Sequence, residues 1–345
     1  MAHSHDVSVC GTYILDILGV PVTEIPPGGG RLLIEEIRLA VAGTAGGTVV
    51  PCARLGLKAL AVGAVGSDEK ADWMLNALER EGIDISLMER MAGSPTSATI
   101  LPIRPDGSRP VMHARGASAR WRIAPDTQRA ACRSKILHLG GVGSLLAMDG
   151  APSVALLRDA KAAGCTTTLD LIQARGETLA LVEPLLPYVD FFMPSIDETN
   201  AMVGTDDPAA CARFFIDKGA GACAISLGAD GSFVMTRDGR QFTVPAFEVA
   251  VRDTSGCGDS YTGGFIAGLV RDWDLLDCAR LATATAAIVA TAAGFGRQSR
   301  VVRRDREGHE HPPGPQACSR LIHSHRQKPF IRTTGENATW PDMRS

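Results

Sequence analysis

The chain has 345 residues, of which 45% are hydrophobic and 21% are charged, and its formal net charge at pH 7 is −3. This composition predicts a soluble globular protein, the small negative charge argues against a general nucleic-acid binder, and no run of about 20 apolar residues predicts a membrane span. The nine cysteines form no Cys-x-x-Cys pair and no Cys/His cluster at zinc spacing, which favours a reducing cytoplasm.

Short apolar runs alternate with helical patterns, which is typical of a parallel sheet covered by helices on both faces. The predicted strands are Val7 to Cys10, Ala59 to Gly63, Ile136 to Leu139, Thr166 to Leu169, Phe191 to Met193 and Ala222 to Leu227. The predicted helices are Asp68 to Glu81, Asp207 to about Lys218, and Leu275 to Ala293. The pattern therefore predicts a three-layer α/β/α fold with a mostly parallel sheet.

Two stretches break this alternation and predict β-hairpins. In the first, Ile37, Leu39 and Val41 alternate with other residues. In the second, Thr99 to Ile103 and Val111 to Ala114 flank a turn that contains proline, aspartate and glycine. Neither stretch fits a buried parallel strand, and the residues alone leave open a functional lid or an ordinary surface hairpin.

The segment Asp253-Thr254-Ser255-Gly256-Cys257-Gly258-Asp259 precedes an apolar helical pattern. Its glycines permit a tight turn at a helix start, where backbone N–H groups and the helix dipole attract an anion. The carboxylate of Asp259 would repel a phosphate there unless it accepts a proton from a hydroxyl that attacks the phosphate. The alternative is a glycine-rich helix entry with an acid in its first turn.

This segment resembles the carboxy-terminal signature of the ribokinase-like (PfkB) sugar and nucleoside kinases. Cys257 stands where alanine is commonest in that family, and Tyr261 where phenylalanine is. The resemblance covers most of residues 7–296. It also rests on Gly11 to Asp16, Ala42 to Gly56, Phe192 to Glu198 and Ala224 to Gly231.

The resemblance implies a ribokinase-like domain over residues 6–297 with a small β-sheet lid built from about 12–42 and 95–118. Such a lid would exclude water, which competes with the sugar hydroxyl. The resemblance also implies a homodimer that forms through the lid. Residues 298–345 are rich in Arg, His and Pro without a sustained period, and we predict a poorly ordered tail.

The resemblance assigns catalytic and acceptor-binding roles. Asp259 would be the general base, and the N–H groups of Gly256, Cys257 and Gly258 would stabilise charge on the transferring phosphoryl group. Asp16 would bind substrate hydroxyls. The backbone would approach the sugar closely at Gly43, Gly46 and Gly47. Gly47 stands where many members have an asparagine that contacts substrate.

The resemblance also assigns nucleotide and metal roles. ATP would bind at Ser195, Ser226, Gly228 and Gly231, and Glu198 would hold Mg²⁺ through water. Asp253 and Ser255 would lie beside a monovalent cation, K⁺. Ser195 replaces the asparagine of the family's Asn-x-x-Glu sequence, and the alternative for Glu198 is an acid in the first turn of a helix.

We therefore expect a phosphotransferase that moves the γ-phosphoryl group of ATP to a hydroxyl of a small sugar or sugar-like substrate. A nucleoside kinase is one alternative, because the same fold serves both acceptors. A catalytically silent sugar-binding or regulatory homologue is another alternative. It is favoured by the substitutions at Gly47, at Ser195 and at Ser118, which replaces the asparagine of the family's Gly-Ala-Asn sequence. The sequence contains neither a P-loop nor the protein-kinase sequence set.

Overall fold

The computed structural model describes residues 3–291 and the backbone of two short strands, Arg303–Arg304 and Glu310–His311. These two strands pair antiparallel. The remainder of the tail predicted to be poorly ordered, within 298–345, lies outside the described residues. In the described part of the chain, no helix is both long and apolar enough to cross a membrane.

Within residues 3–291, nine strands form one large sheet and four strands form a small one. The order in the large sheet is β13-β12-β11-β10-β9-β8-β1-β4-β5, and in the small sheet β3-β2-β6-β7. The strands are β1 (His5–Gly11), β2 (Ile14–Val20), β3 (Glu36–Ala42), β4 (Ala59–Gly66), β5 (Asp84–Met91), β6 (Ala98–Pro102), β7 (Met112–Ala114), β8 (Ser134–Val142), β9 (Thr166–Leu171), β10 (Phe191–Phe192), β11 (Ala222–Ser226), β12 (Ser232–Thr236) and β13 (Gln241–Val244). In the order given, all neighbouring strands between β11 and β5 pair parallel. Strand β12 pairs antiparallel with β11, and β13 pairs antiparallel with β12. The predicted mostly parallel sheet is confirmed.

Helices cover both faces of the large sheet. They are α1 (Thr44–Arg54), α2 (Glu69–Arg80), α3 (Gly116–Arg120), α4 (Pro125–Ala131), α5 (Ala151–Ala162), α6 (Leu179–Val182), α7 (Ile196–Val203), α8 (Pro208–Asp217), α9 (Cys257–Val270) and α10 (Leu275–Ala290). Asp68 caps α2 by accepting a hydrogen bond from the Ala71 N–H, and Asp207 caps α8 in the same way through Ala209. Both helices therefore begin where the sequence predicted.

The alternation of side chains along β1 explains the three layers. Val7 and Val9 belong to the hydrophobic cluster beneath α1, α2, α9 and α10, whereas Cys10 belongs to the cluster beneath α3 to α8. His138 on the neighbouring strand β8 is fully buried, and its Nδ1 lies 2.9 Å from the Thr168 hydroxyl. Burial lowers its pKa to about 3. His138 is therefore a neutral core histidine held by one hydrogen bond.

The small sheet contains the two predicted hairpin stretches and a strand that the pattern did not predict, β2. Strand β2 pairs antiparallel with β3 and parallel with β6, and β6 pairs antiparallel with β7. Strands β5, β12 and β13 were also missed. Strand β5 is an edge strand whose burial does not alternate cleanly. Strands β12 and β13 form a hairpin, and the Asp238-Gly239 sequence in its turn is typical of hairpins.

Close packing of α9 on α10 fixes the position of the helix that begins at the glycine-rich turn. A Cβ atom at Gly264 of α9 would lie 2.7 Å from the Cα of Ala282 and 2.8 Å from the Thr285 hydroxyl of α10. Because the nearest contact is backbone, the helices would have to separate to admit a methyl group.

We predict that Gly264→Ala lowers the free energy of unfolding by about 1–3 kcal/mol, despite the higher helix propensity of alanine. Urea denaturation monitored by circular dichroism measures this change. The matched control is Gly29→Ala, where an added Cβ meets no atom within 4 Å, and it should stay within about 0.5 kcal/mol of the unsubstituted protein. Equal stability of both variants would contradict the packing argument.

Candidate active site

A cavity of about 420 Å³ lies between the small sheet and the carboxyl ends of the parallel strands. Its wall includes Asp16 of β2, Asp170 of β9, Glu198 of α7 and Asp259 of α9. The ends of parallel strands are the usual place for ligands in open α/β sheets. The fold therefore brings four carboxylates that are distant in the sequence to one cavity, beneath a small sheet in the position of a lid.

The predicted anion turn forms at the start of α9. Gly256 is the N-cap, and its φ of +73° is a left-handed conformation that favours glycine. Ser255, Gly256 and Gly258 line the cavity together with Asp259, which occupies the first turn of the helix. The Cys257 N–H donates to the Thr254 carbonyl oxygen at 3.3 Å, whereas the N–H groups of Gly256 and Gly258 have no backbone acceptor among the described residues and are available to an anion.

The carboxylate of Asp259 packs against the backbone of α1. A Cβ atom built on Gly47 would lie only 2.2 Å from Asp259 Oδ2, so the missing side chain makes room for this carboxylate. The Thr48 hydroxyl donates to the carbonyl oxygen of Asp259 at 3.3 Å. Gly43 lines the cavity, whereas Gly46 is buried next to Val41 and Tyr13. The contacts that the structure shows for Gly46 and Gly47 are thus with protein groups.

Burial and neighbouring charges make Asp259 a weak acid. Burial raises its pKa to about 8, with further increases from the negative charges of Asp16 and Glu198. In residues 3–291, no side chain donates a hydrogen bond to its carboxylate. A carboxylate with free lone pairs and a pKa close to neutrality suits a general base.

Asp170 is a buried acid that the sequence reasoning did not select. The Leu171 N–H donates to its Oδ1 at 2.7 Å, and the Thr262 hydroxyl of α9 donates to its Oδ2 at 3.1 Å. Burial raises its pKa well above the usual range, and the charges of Glu198 and Asp259 raise it further. The available signal was its position at the carboxyl end of a predicted strand.

Ser195 and Glu198 form a reciprocal cap at the start of α7. The Ser195 N–H and hydroxyl both donate to Glu198 Oε2 at 2.9 Å, and the Glu198 N–H lies 3.3 Å from the Ser195 hydroxyl. Glu198 is therefore both an acid in the first turn, as the alternative held, and part of the cavity wall.

Carboxylate oxygens suit Mg²⁺, which keeps several waters and takes few protein ligands. Among the described residues, no group of three or more His, Cys, Asp or Glu side chains could hold a metal ion by itself. Glu198 and Asp170 on the cavity wall fit an ion that is bound mainly by water and phosphate oxygens.

The predicted nucleotide residues lie on neighbouring strands. Ser195 and Ser226 form an isolated parallel bridge, and both line the cavity. Gly228 begins the turn after β11 with a φ of +59°, and Gly231 ends it. A Cβ atom at Gly231 would lie 2.0 Å from the Val244 carbonyl oxygen, so the close approach there is to β13.

The inner face of the lid carries one polar row. Asp16, Thr99 and His113 are direct neighbours on β2, β6 and β7. Burial raises the pKa of Asp16 to about 6, although a hydrogen bond with Thr99 opposes this change. His113 Nδ1 lies 3.1 Å from the Thr99 hydroxyl. The row places a carboxylate, a hydroxyl and an imidazole on one cavity wall.

The lid contacts the loop before the anion turn through Arg109, which the sequence reasoning missed. Its Nη1 donates to the Thr254 hydroxyl at 3.0 Å and lies 3.4 Å from Asp253 Oδ1. The same Asp253 oxygen accepts hydrogen bonds from the Ser255 N–H and hydroxyl at 2.9 and 2.7 Å. A guanidinium group thus lies beside the two residues that the resemblance assigned to a monovalent cation.

Comparison with known proteins agrees with this geometry. Residues 5–300 match the sequence model described as pfkB family carbohydrate kinase. The chain is 27% identical over 296 residues to a ribokinase of Haemophilus influenzae, covering 84% of this chain and 93% of that protein. It is 25% identical over 277 residues to a 2-dehydro-3-deoxygluconokinase of Bacillus subtilis, covering 77% and 85%.

The fold is also similar to solved structures. Arabidopsis thaliana ribokinase, solved in complex with ribose and ATP, superposes with a TM-score of 0.74 at 20% identity, covering 85% of this chain and 94% of that one. This likeness supports the ribokinase-like fold with a large, mostly parallel sheet and a separate small sheet.

For a reaction in which Asp259 accepts a proton, we predict that kcat/KM rises about tenfold per pH unit until about pH 8, because only the ionised carboxylate can accept it and burial raises its pKa to about 8. Glu198→Gln removes a negative neighbour, lowers the pKa of Asp259 and moves this limb to lower pH. The measurement is the pH profile of kcat/KM. Asp197→Asn, which changes an exposed acid on the same helix, should leave the limb unmoved; an unmoved limb in Glu198→Gln would contradict the electrostatic account.

Proposed function

Because the chain belongs to the pfkB family of carbohydrate kinases, we propose that it phosphorylates a hydroxyl of a small sugar-like acceptor with ATP, using Asp259 as the general base. The family assignment establishes a phosphotransferase that acts on an alcohol group. The observation that supports the role of Asp259 is its place in the first turn of α9, on the wall of the cavity that Asp16 also lines.

The proposed reaction uses three groups of this chain. Asp16 accepts hydrogen bonds from acceptor hydroxyls and orients them. Asp259 takes the proton of the attacking hydroxyl, and the first N–H groups of α9, at Gly256, Cys257 and Gly258, stabilise negative charge on the phosphoryl group. The lid excludes water, which would otherwise accept the phosphoryl group.

We also propose which residues bind the nucleotide and the metal ion. Ser195 and Ser226 contact the nucleotide phosphates, and the turn from Gly228 to Gly231 gives the nucleotide space. Glu198 holds Mg²⁺ through water. When bound, Mg²⁺ neutralises charge on the phosphate oxygens. Asp253 and Ser255 would lie beside a monovalent cation.

A sugar acceptor fits the cavity better than a nucleoside does. Tyr261 and His113 are the aromatic side chains on the cavity wall within the described residues, whereas a base needs apolar or aromatic surface on which to stack. A silent homologue is also disfavoured, because Asp259 lies in the cavity beside the anion turn.

We also propose a cytoplasmic homodimer that forms through the lid. On the outer face of the lid, Leu39, Ile17, Ile100 and Met112 are neighbours in one row across all four strands. Ile100 is 50% exposed and Met112 is 49% exposed. A row of exposed apolar side chains on a sheet supports burial against a second copy.

We predict that Asp259→Asn lowers kcat by about 10²- to 10⁴-fold, because the amide cannot accept the proton. Its melting temperature should not fall, because the substitution removes a buried acid. Coupled-enzyme assays of ADP release over a panel of sugars, together with thermal melts, measure both effects. Asp277→Asn, which changes an acid in the first turn of α10, is the matched control with unchanged turnover. Near-normal turnover by Asp259→Asn would show that another group is the base.

We predict that Ile100→Lys converts the dimer to a monomer, because a charged side chain in the centre of an apolar row would be desolvated on association. Light scattering after size-exclusion chromatography measures the mass. Val251→Lys, at an exposed apolar position outside the lid, should leave the dimer intact. A monomeric unsubstituted protein, or a dimeric Ile100→Lys variant, would contradict the proposed interface.

A further inference from the structure

Positive charge on the cavity wall comes from one short stretch of the lid. Among the described residues of this wall, the permanently charged basic side chains are Arg109 and Arg115. His113 lies between them, and burial together with the charge of Arg115 lowers its pKa, so it is mainly neutral near pH 7. Along this stretch Arg109, Val111, His113 and Arg115 line the cavity, so every second residue faces inward. The acids Asp170, Glu198 and Asp259 come from the large domain instead.

The positive charge therefore lies on the lid, which is the wall that the proposed acceptor would contact. The lid row that contains Asp16 is the wall that would contact acceptor hydroxyls, and Arg109 is close enough to Asp16 to lower its pKa. The serine residues assigned to the nucleotide belong to the large sheet and its helices, Ser195 as the N-cap of α7 and Ser226 as the last residue of β11. The basic side chains are thus placed to meet the acceptor.

The guanidinium of Arg109 retains unused donors. Both hydrogen bonds that it makes with described residues, to Thr254 and Asp253, use Nη1. Its Nε and Nη2 have no partner within the described part of the chain, and this edge is the one that pairs side-on with a carboxylate or phosphate. The bond to Thr254 also holds the guanidinium in place, which lowers the entropic cost of binding. Arg115 adds a second positive charge to the same wall.

We propose that the acceptor carries an anionic group, a carboxylate or a phosphate, which binds to the Nε–Nη2 edge of Arg109 while Asp16 binds the acceptor's hydroxyls. This inference rests on the proposed kinase function and narrows its substrate class to hydroxylated acids, either sugar acids or sugar phosphates. Arg109 is the specificity-determining residue, and an uncharged sugar would leave its donors unpaired.

The test compares matched acceptors that differ in charge. The carboxylate arm uses D-gluconate and D-glucitol, and the phosphate arm uses D-fructose 6-phosphate and D-fructose. In at least one arm, kcat/KM for the anionic member should exceed that for the uncharged member by roughly tenfold to hundredfold. The arm that shows the preference identifies the anionic group.

Substitutions of Arg109 then test whether its side chain causes the preference for anionic acceptors. Arg109→Gln should reduce the ratio of anionic to uncharged kcat/KM by at least about tenfold, and Arg109→Lys should restore it in part, because lysine keeps the charge but not the two-pronged geometry. The ratio cancels any loss that comes from a weakened lid contact with Thr254. Arg104→Gln, an exposed arginine in the turn of the same hairpin, is the matched control with an unchanged ratio.

Equilibrium binding of the same four compounds, measured by calorimetry, keeps the inference separate from the kinase proposal. Selective binding of an acid without turnover would support the acceptor class and contradict the kinase. Turnover of uncharged sugars without preference for either acid would support the kinase and overturn the inference. Equal losses for charged and uncharged acceptors in Arg109→Gln would also overturn it, because the guanidinium would then serve the transferring phosphoryl group. If neither acid binds more tightly than its uncharged partner, the inference is wrong.

Discussion

Crowding of carboxylates in one cavity is the constraint on which the rest of this structure depends. Asp259 is partly buried, and the negative charges of Asp16 and Glu198 help to raise its pKa, whereas Asp170 is buried beside Glu198 and Asp259. Such a group of acids is costly unless protons or cations are shared among them. A cation bound in the cavity would offset this cost and would lower the pKa of Asp259. Cation binding and the ionisation of Asp259 would therefore be linked by electrostatics.

The parallel sheet brings these acids together at one edge. Asp170 follows strand β9, Glu198 belongs to the helix after β10, and Asp259 starts α9, so the three acids meet at the carboxyl edge although they are far apart in the sequence. Ser195 holds Glu198 from within the same segment. Thr262 of α9 holds Asp170 of β9, which ties the helix that carries Asp259 to the sheet. Movement of α9 would change both acids together.

The sequence predicted the parts of the fold that have strong periodicity or a capping signal. Buried strands such as β1 and β8, and helices capped by Asp68 or Asp207, needed only local information. Strand β5 was missed because an edge strand need not alternate. Asp170 and Arg109 were missed for a different reason, since each depends on partners more than 90 residues away. No local pattern reports such a contact, although the inward alternation from Arg109 to Arg115 was visible.

The three substitutions that favoured a silent homologue have structural explanations. Ser195 caps α7 and holds Glu198 with its hydroxyl, so it retains a polar role. The Ser118 hydroxyl donates to the Tyr13 carbonyl at 3.0 Å and fixes the end of the lid to the core. Gly47 gives the carboxylate of Asp259 the space that a side chain would occupy. Because each change leaves Asp259 in the cavity, the departures fit altered acceptor recognition better than loss of catalysis. Acceptor recognition would then depend on the basic side chains of the lid.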